Sequence, residues 1–170
     1  MQRIFLIGYR ATGKTAVAQL LADKLGWGWT DADDSLEQQF KRSIQQIFLD
    51  EGEAGFRAKE AAVLETLAGL KNEVIATGGG IILRAENRAR LRTGKVVWLT
   101  APAEVLWQRM QQDAATIQRR PNLLHGGLAE VTELLRVREP LYAECADWMV
   151  DTAASSPEEV AAAIFQWLPK

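Results

Sequence analysis

The chain has 170 residues, 48% of them hydrophobic, with 20 basic and 22 acidic side chains and a net charge of −2. This length and apolar content predict one domain over residues 1–170, and the charge excludes the overall basic field typical of proteins that bind nucleic acid. The same net charge favours a small-molecule partner. The single cysteine, the absence of an apolar run of the roughly 18 residues that cross a bilayer, and a start unlike a signal peptide predict a cytoplasmic protein.

The first motif is a phosphate-binding loop at residues 8–15, GYRATGKT, between an apolar run at residues 4–7 and a helical pattern. Backbone N–H groups of such a loop and the positive end of the next helix bind phosphate. We expect Lys14 to reach the β- and γ-phosphates of ATP and the Thr15 hydroxyl to bind Mg²⁺. A plain strand-to-helix turn is the alternative. The expected ATP contacts here are Gly8, Ala11, Thr12, Gly13, Lys14, Thr15 and Ala16.

Asp31 closes the second predicted strand, residues 27–31, and Asp33 follows two residues later. Asp31 and Asp33 stand where the phosphate loop must also lie, so one could act near Mg²⁺ and one near an attacking hydroxyl. Aspartates also favour helix starts, which is the structural alternative. We assign capping to Asp34 and function to Asp31 and Asp33.

Arg57 and Glu60 are neighbours on one face of a helical pattern, three residues apart. An arginine fork there suits a carboxylate or a phosphate. An ordinary exposed ion pair accounts for the same spacing, and from these residues alone it is the simpler interpretation.

Three consecutive glycines, Gly78, Gly79 and Gly80, follow the third predicted strand, residues 74–77. Glycines weaken regular structure, so this run indicates backbone that approaches a ligand or another segment closely. A flexible turn is the alternative.

A polar segment at residues 111–127, which contains Arg119, Arg120 and Pro121, interrupts both periodicities and predicts a mobile lid. A closing lid can bring an arginine to the transferred phosphoryl group. Arg120 and, after the next helical pattern, Arg138 are candidates, although both could be surface charges.

The remaining strands are predicted at residues 96–100 and 148–151, with helices between all five strands. This alternation predicts a parallel sheet with helices on both faces and ligands at the carboxyl ends of its strands. We expect Gly94 to end the helix before the fourth strand, and Trp98, Trp107 and Cys145 to serve packing.

Together these motifs, with residues 138–142 (REPLY) and residues 157–160 (PEEV), resemble shikimate kinase over essentially the whole chain. Only the phosphate loop is specific alone, whereas the joint order and spacing are highly specific. The resemblance implies a nucleoside-monophosphate-kinase-like P-loop fold of three layers with a five-stranded parallel sheet and a mobile lid. It also implies transfer of the γ-phosphoryl group of ATP to the 3-hydroxyl of shikimate, with Mg²⁺.

By the same resemblance, Lys14, Asp33 and Arg120 would be catalytic, with Asp33 orienting or deprotonating the hydroxyl. The substrate-binding region would span residues 33–60, and Thr15 and Asp31 would serve the metal. Arg109 and Pro157 would flank adenine, and Arg120 would close onto ATP. Shikimate would contact Asp33, Phe48, Phe56, Arg57, Glu60, Gly78, Gly79, Gly80 and Arg138. We expect a monomer.

Two positions depart from the family pattern. Many members carry glycine where this chain has Ala11, and Asn122 stands between Arg120-Pro121 and the usual Leu-Leu.

Three alternatives remain open. A gluconate or nucleoside-monophosphate kinase would use the same scaffold. A GTPase switch would carry Asn-Lys-x-Asp, which this sequence lacks. The third is a scaffold that binds nucleotide without catalysis.

Overall fold

The computed structural model describes residues 3–113 and 126–169. Its sheet contains β1 (Arg3–Ile7), β2 (Gly28–Asp31), β3 (Glu73–Ala76), β4 (Lys95–Thr100) and β5 (Trp148–Asp151). The strands lie in the order β2-β3-β1-β4-β5, and every pair is parallel. The predicted five-stranded parallel sheet is therefore confirmed, and each strand boundary lies within one residue of its predicted position.

The helices are α1 (Lys14–Leu25), α2 (Ala32–Phe40), α3 (Ile44–Leu67), α4 (Ala85–Leu91), α5 (Ala103–Gln112), α6 (Gly127–Cys145) and α7 (Pro157–Trp167), with a 3₁₀ turn at Ile81–Leu83. None of the described helices has an apolar run of transmembrane length. Helix α5 continues through Gln112 and α6 begins at Gly127, so the segment predicted as a lid overlaps a helix at each end.

The central strand β1 divides the core into two layers because successive side chains of a strand point to opposite faces. Ile4 and Leu6 pack with residues of α1 and α7. Phe5 and Ile7 pack with residues of α2, α3 and α6. All four side chains are buried. The sheet thus has helices on both faces, which gives the three-layer fold that the resemblance implied.

Local sequence signals mark the starts of α3 and α5. Ser43 accepts a hydrogen bond from the Gln46 N–H at the start of α3. Pro102 precedes α5 as its N-cap residue. The prediction for Gly94 was wrong, because α4 ends at Leu91. A Cβ atom on Gly94 would lie 2.9 Å from the Arg3 carbonyl oxygen, so glycine is needed there for close approach to β1.

Helix α7 begins with a complete capping box. Ser156 Oγ accepts from the Glu159 N–H at 3.2 Å, and Glu159 Oε2 accepts from the Ser156 N–H at 2.8 Å. Pro157 occupies the first turn, where its missing N–H costs nothing. Two N–H groups that no helical carbonyl could reach are therefore satisfied locally.

We predict that Ser156→Ala destabilises the protein by about 1 kcal/mol, because it leaves a helix N–H without its side-chain acceptor. For a chain of this size the unfolding temperature should fall by about 2–4 °C in a thermal melt. Ser155→Ala, at the exposed neighbouring position, is the matched control. An equal effect of the two substitutions would contradict the capping assignment.

Candidate active site

The phosphate loop joins the carboxyl end of β1 to α1. Gly8 has φ 142°, and a Cβ atom there would overlap the Leu99 carbonyl oxygen of β4. Lys14 Nζ donates to the carbonyl oxygens of Gly8 at 2.8 Å and Tyr9 at 2.7 Å. The ammonium group is therefore folded over its own loop, held at the place where phosphate oxygens would need a positive charge.

The remaining loop positions have mixed exposure. Thr12 is buried, and its hydroxyl donates to the Tyr9 carbonyl oxygen at 2.9 Å. Gly13 has φ 87° and is the N-cap residue of α1. Ala16 is exposed in the first turn of that helix. The N-terminal turn of α1 thus opens to solvent beside the loop, as a phosphate site requires.

Ala11 has a left-handed backbone conformation, with φ 59°. Such a conformation is uncommon for a residue other than glycine. The Ala11 carbonyl oxygen accepts from Arg109 Nη1 at 3.2 Å. The same guanidinium donates to Thr152 Oγ1 at 3.1 Å and to the Thr152 carbonyl oxygen at 2.7 Å. Arg109 therefore connects α5 and the segment after β5 to the phosphate loop.

Asp31 lies at the point where the phosphate loop meets β2. Its Oδ2 accepts from the Thr15 hydroxyl at 2.6 Å. Its Oδ1 accepts from the N–H groups of Asp33 at 2.9 Å and Asp34 at 3.3 Å. Assigning the capping role to Asp34 was wrong, because Asp31 is the N-cap residue of α2 and Asp34 lies in its first turn. The two carboxylate oxygens allow Asp31 to cap the helix and face Thr15 together.

Burial raises the pKa of the Asp31 carboxyl, and the hydrogen bond from Thr15 opposes that rise. Thr15 and Asp31 present adjacent hard oxygen atoms, which suit Mg²⁺ because this ion often uses only one or two protein ligands with phosphates and water. No group of three or more His, Cys, Asp or Glu side chains with metal-site geometry occurs among the described residues. The donor set therefore fits a magnesium ion that is shared with a nucleotide.

The three glycines after β3 form the centre of the site, and we call Gly78, Gly79 and Gly80 the glycine loop. All three are buried. A Cβ atom on Gly78 would lie 2.8 Å from Glu60 Oε1 and 3.4 Å from Asp33 Oδ1. A Cβ atom on Gly80 would overlap the Arg57 guanidinium. The glycine run therefore serves close approach, and the flexible-turn alternative is wrong.

Arg57 is held by a partly buried ion pair. Its Nη1 donates to Glu60 Oε2 at 2.9 Å, and the two side chains are 12% and 4% exposed. Interpreting this spacing as an exposed ion pair was therefore wrong. The Arg57 guanidinium also lies over the Phe56 ring, 5.1 Å from its centroid. Phe48 stacks on Phe56 at 4.6 Å, so aromatic side chains form a wall beside the arginine.

Arg138 reaches the glycine loop from α6. It is 8% exposed and lies over the Tyr9 ring at 5.7 Å. A Cβ atom on Gly79 would lie 3.7 Å from Arg138 Nη1 and 3.5 Å from the Gly8 carbonyl oxygen. The surface-charge alternative for Arg138 is wrong, and the glycine loop touches the phosphate loop.

Sequence reasoning assigned no function to Tyr142 or Thr152. The Tyr142 hydroxyl donates to the Gly79 carbonyl oxygen, and Thr152 is the partner of Arg109. Tyr142 stands four residues after Arg138, a spacing that places both on one helix face and could have indicated the site.

Three predicted nucleotide-contact residues, Arg109, Arg120 and Pro157, lie outside the phosphate loop. Arg120 and the rest of residues 114–125 lie outside the described residues. Pro157 is exposed at the start of α7. The partners described for Arg109 are protein atoms, so adenine contacts for Arg109 and Pro157 stay predictions.

The chain is similar to proteins of one family by sequence and by structure. A family model described as shikimate kinase matches residues 10–169. The chain is 43% identical over 153 residues to a shikimate kinase from Oleidesulfovibrio alaskensis, covering 89% of this chain and 88% of that protein. With the Rhodopirellula baltica shikimate kinase it shares 40% identity over 170 residues, covering 99% and 91%.

The structural matches also cover nearly the whole chain. The structure of shikimate kinase from Acinetobacter baumannii in complex with shikimate matches with a TM-score of 0.91 and 37% identity, covering 98% of this chain and 92% of that chain. The Aquifex aeolicus shikimate kinase matches with a TM-score of 0.83 and 36% identity, covering 97% and 95%. The chain belongs to the shikimate kinase family.

Proposed function

We propose that this chain transfers the γ-phosphoryl group of ATP to the 3-hydroxyl of shikimate in the cleft between the phosphate loop and the glycine loop. One observation carries the proposal. Two arginines with little solvent exposure, Arg57 and Arg138, and the acid Asp33 converge on a glycine loop that touches the phosphate loop. A nucleotide site and a site for a small hydroxylated carboxylate are thereby placed side by side, as phosphoryl transfer requires.

The arginines would hold the carboxylate. Guanidinium groups match a carboxylate through paired charge-assisted hydrogen bonds, which are stronger than neutral ones. The ion pair with Glu60 fixes the orientation of Arg57, and the Tyr9 ring lies against Arg138. Both cations are thus positioned before substrate arrives, so less side-chain entropy is lost on binding.

Asp33 would act on the attacking hydroxyl. Its carboxylate lies near Gly78, at the same edge of the sheet as the phosphate loop. A carboxylate hydrogen-bonded to the acceptor hydroxyl orients it and can take its proton as the new O–P bond forms.

Lys14, Thr15 and Asp31 would serve the nucleotide. The Lys14 ammonium can exchange its loop carbonyl partners for β- and γ-phosphate oxygens without moving far from the loop. Thr15 and Asp31 would hold Mg²⁺. When bound, this ion supplies positive charge that stabilises the transferred phosphoryl group.

We also propose the features that the described residues do not test. Arg120 would close over ATP from a lid at about residues 111–127, and Arg109 and Pro157 would flank adenine. The chain would form one domain over residues 1–170, with its substrate-binding region at residues 33–60, and would act as a cytoplasmic monomer.

The function is tested by measuring ADP release with Mg²⁺-ATP and a panel of acceptors. We expect turnover with shikimate and little with gluconate or AMP, because of the three only shikimate carries a carboxylate on a ring that also bears hydroxyls. Strong turnover of gluconate or AMP with none of shikimate would refute the proposal. Preference for GTP over ATP would favour a GTPase. Inactivity with every acceptor would favour a scaffold that binds nucleotide without catalysis.

We predict that Arg57→Ala raises KM for shikimate at least about tenfold, since it removes a charged contact made before and during the reaction. KM for ATP should stay within about twofold of its original value. Arg84→Ala removes an exposed arginine paired with Glu86 and serves as the control, with both constants unchanged. Steady-state kinetics with each substrate varied in turn will measure the two KM values. Damage confined to ATP affinity would place Arg57 elsewhere.

We predict opposite effects of Asp31→Asn on stability and activity. Asparagine still caps α2 but removes a buried charge. Because the folded-state pKa of Asp31 is raised, the charged form costs stability above that pKa, and the cost disappears as the pH falls through it. The unfolding temperature of the ligand-free variant should therefore rise near pH 7.

The same substitution should weaken the apparent affinity for Mg²⁺ roughly 10- to 100-fold in a magnesium titration of activity. Asp34→Asn, in the first turn of the same helix, is the control and should not raise stability, because a negative charge is favourable there. An Asp31→Asn variant with unchanged magnesium dependence would contradict the metal assignment.

A further inference from the structure

Each carbonyl oxygen of the glycine loop already accepts a hydrogen bond from the protein. The Gly78 carbonyl oxygen accepts from the Ile81 N–H and that of Gly80 from the Leu83 N–H, both at 3.1 Å. The Gly79 carbonyl oxygen accepts from the Tyr142 hydroxyl. Among the described residues, no backbone carbonyl outside the helices and strands accepts a hydrogen bond from the N–H of Gly79 or Gly80. These N–H groups are therefore left for a ligand, and an anion is the ligand they fit.

The hydroxyl of Tyr142 also fixes the direction of one of these donors. The C=O and N–H of a trans peptide point in opposite directions in one plane. When Tyr142 holds the Gly79 oxygen, the N–H of Gly80 in the same peptide must point away from Tyr142. A rotation of that peptide would instead turn a carbonyl oxygen toward the ligand, where it would repel a carboxylate.

Tyr142 is well held for this purpose. It is completely buried, and its ring stacks on Trp98 of β4 at 5.6 Å. Burial raises the pKa of its hydroxyl, so the group stays a hydrogen-bond donor over the working range of the enzyme. Arg138 lies one turn earlier on α6 and faces the same loop, so a single helix sets both the cation and the peptide orientation.

We propose that Tyr142 is a positioning residue for substrate, which orients the Gly79–Gly80 peptide so that its N–H, and not its carbonyl oxygen, meets the shikimate carboxylate. This inference rests on the proposed function. Tyr142 itself need not touch the substrate, and its effect is confined to the carboxylate side of the site.

The test is Tyr142→Phe, which keeps the ring and its stack on Trp98 but removes the donor. KM for shikimate should rise about tenfold, while KM for ATP stays within about twofold. Calorimetric titration of shikimate into the ATP-free protein should show the same loss of affinity. Trp98→Phe is the matched control. It disturbs the stack but keeps the Tyr142 hydroxyl, so it should lower the unfolding temperature and leave KM for shikimate within about twofold.

The outcomes separate this inference from the function itself. An unmutated chain that does not phosphorylate shikimate overturns both. If the unmutated chain is active and Tyr142→Phe binds shikimate equally well, the positioning role alone is wrong. A variant in which KM for ATP and shikimate rise together, as in a general loss of packing, also overturns it. A selective rise for shikimate supports the role.

Discussion

The site depends on backbone that carries no side chains at the point where its charged groups meet. A Cβ atom on Gly78 would crowd the Glu60 carboxylate, and one on Gly80 would overlap the Arg57 guanidinium, so a side chain at either position would move a charge that the chemistry uses. Arg138 lies within van der Waals distance of the Cβ position of Gly79. Because the loop also approaches Gly8, the distance between donor and acceptor sites is set by backbone packing, which flexes less than side-chain contacts.

Each of the cations Lys14, Arg57 and Arg138 has a partner that holds it in place without ligand. Lys14 is bound by loop carbonyl oxygens, Arg57 by the carboxylate of Glu60, and Arg138 lies on the Tyr9 ring. These partners keep desolvated cations from paying the full cost of burial, and they leave each cation free to accept an anionic ligand. A net charge of −2 over the chain could therefore coexist with a locally cationic cleft.

The sequence was sufficient for the features that depend on local chemistry. Apolar runs and the glycine-lysine motif located the strands and the phosphate loop because both are encoded within a few residues. The sequence was insufficient for features that depend on tertiary packing. The spacing of Arg57 and Glu60 fits an exposed and a buried pair equally, and only α3 packing against the core distinguishes them. Tyr142 and Gly79 are 63 residues apart, so no local pattern could reveal their hydrogen bond. At Asp31 helix capping and a role beside Thr15 are compatible, since one carboxylate oxygen accepts from the Asp33 N–H and the other from the Thr15 hydroxyl.

A contact from another part of the chain helps to hold the phosphate loop in its conformation. Ala11 occupies a left-handed conformation that costs a residue with a Cβ atom about 1 kcal/mol or more, a cost that glycine avoids. Arg109 offsets part of that cost, since it donates to the Ala11 carbonyl oxygen while it is anchored on Thr152 beyond β5. The loop, helix α5 and the end of β5 are thus mechanically connected through one guanidinium. If Arg109 also contacts adenine, occupation of the base site would stiffen the same residue that supports the strained position of the phosphate loop, and the two ends of the nucleotide would bind cooperatively.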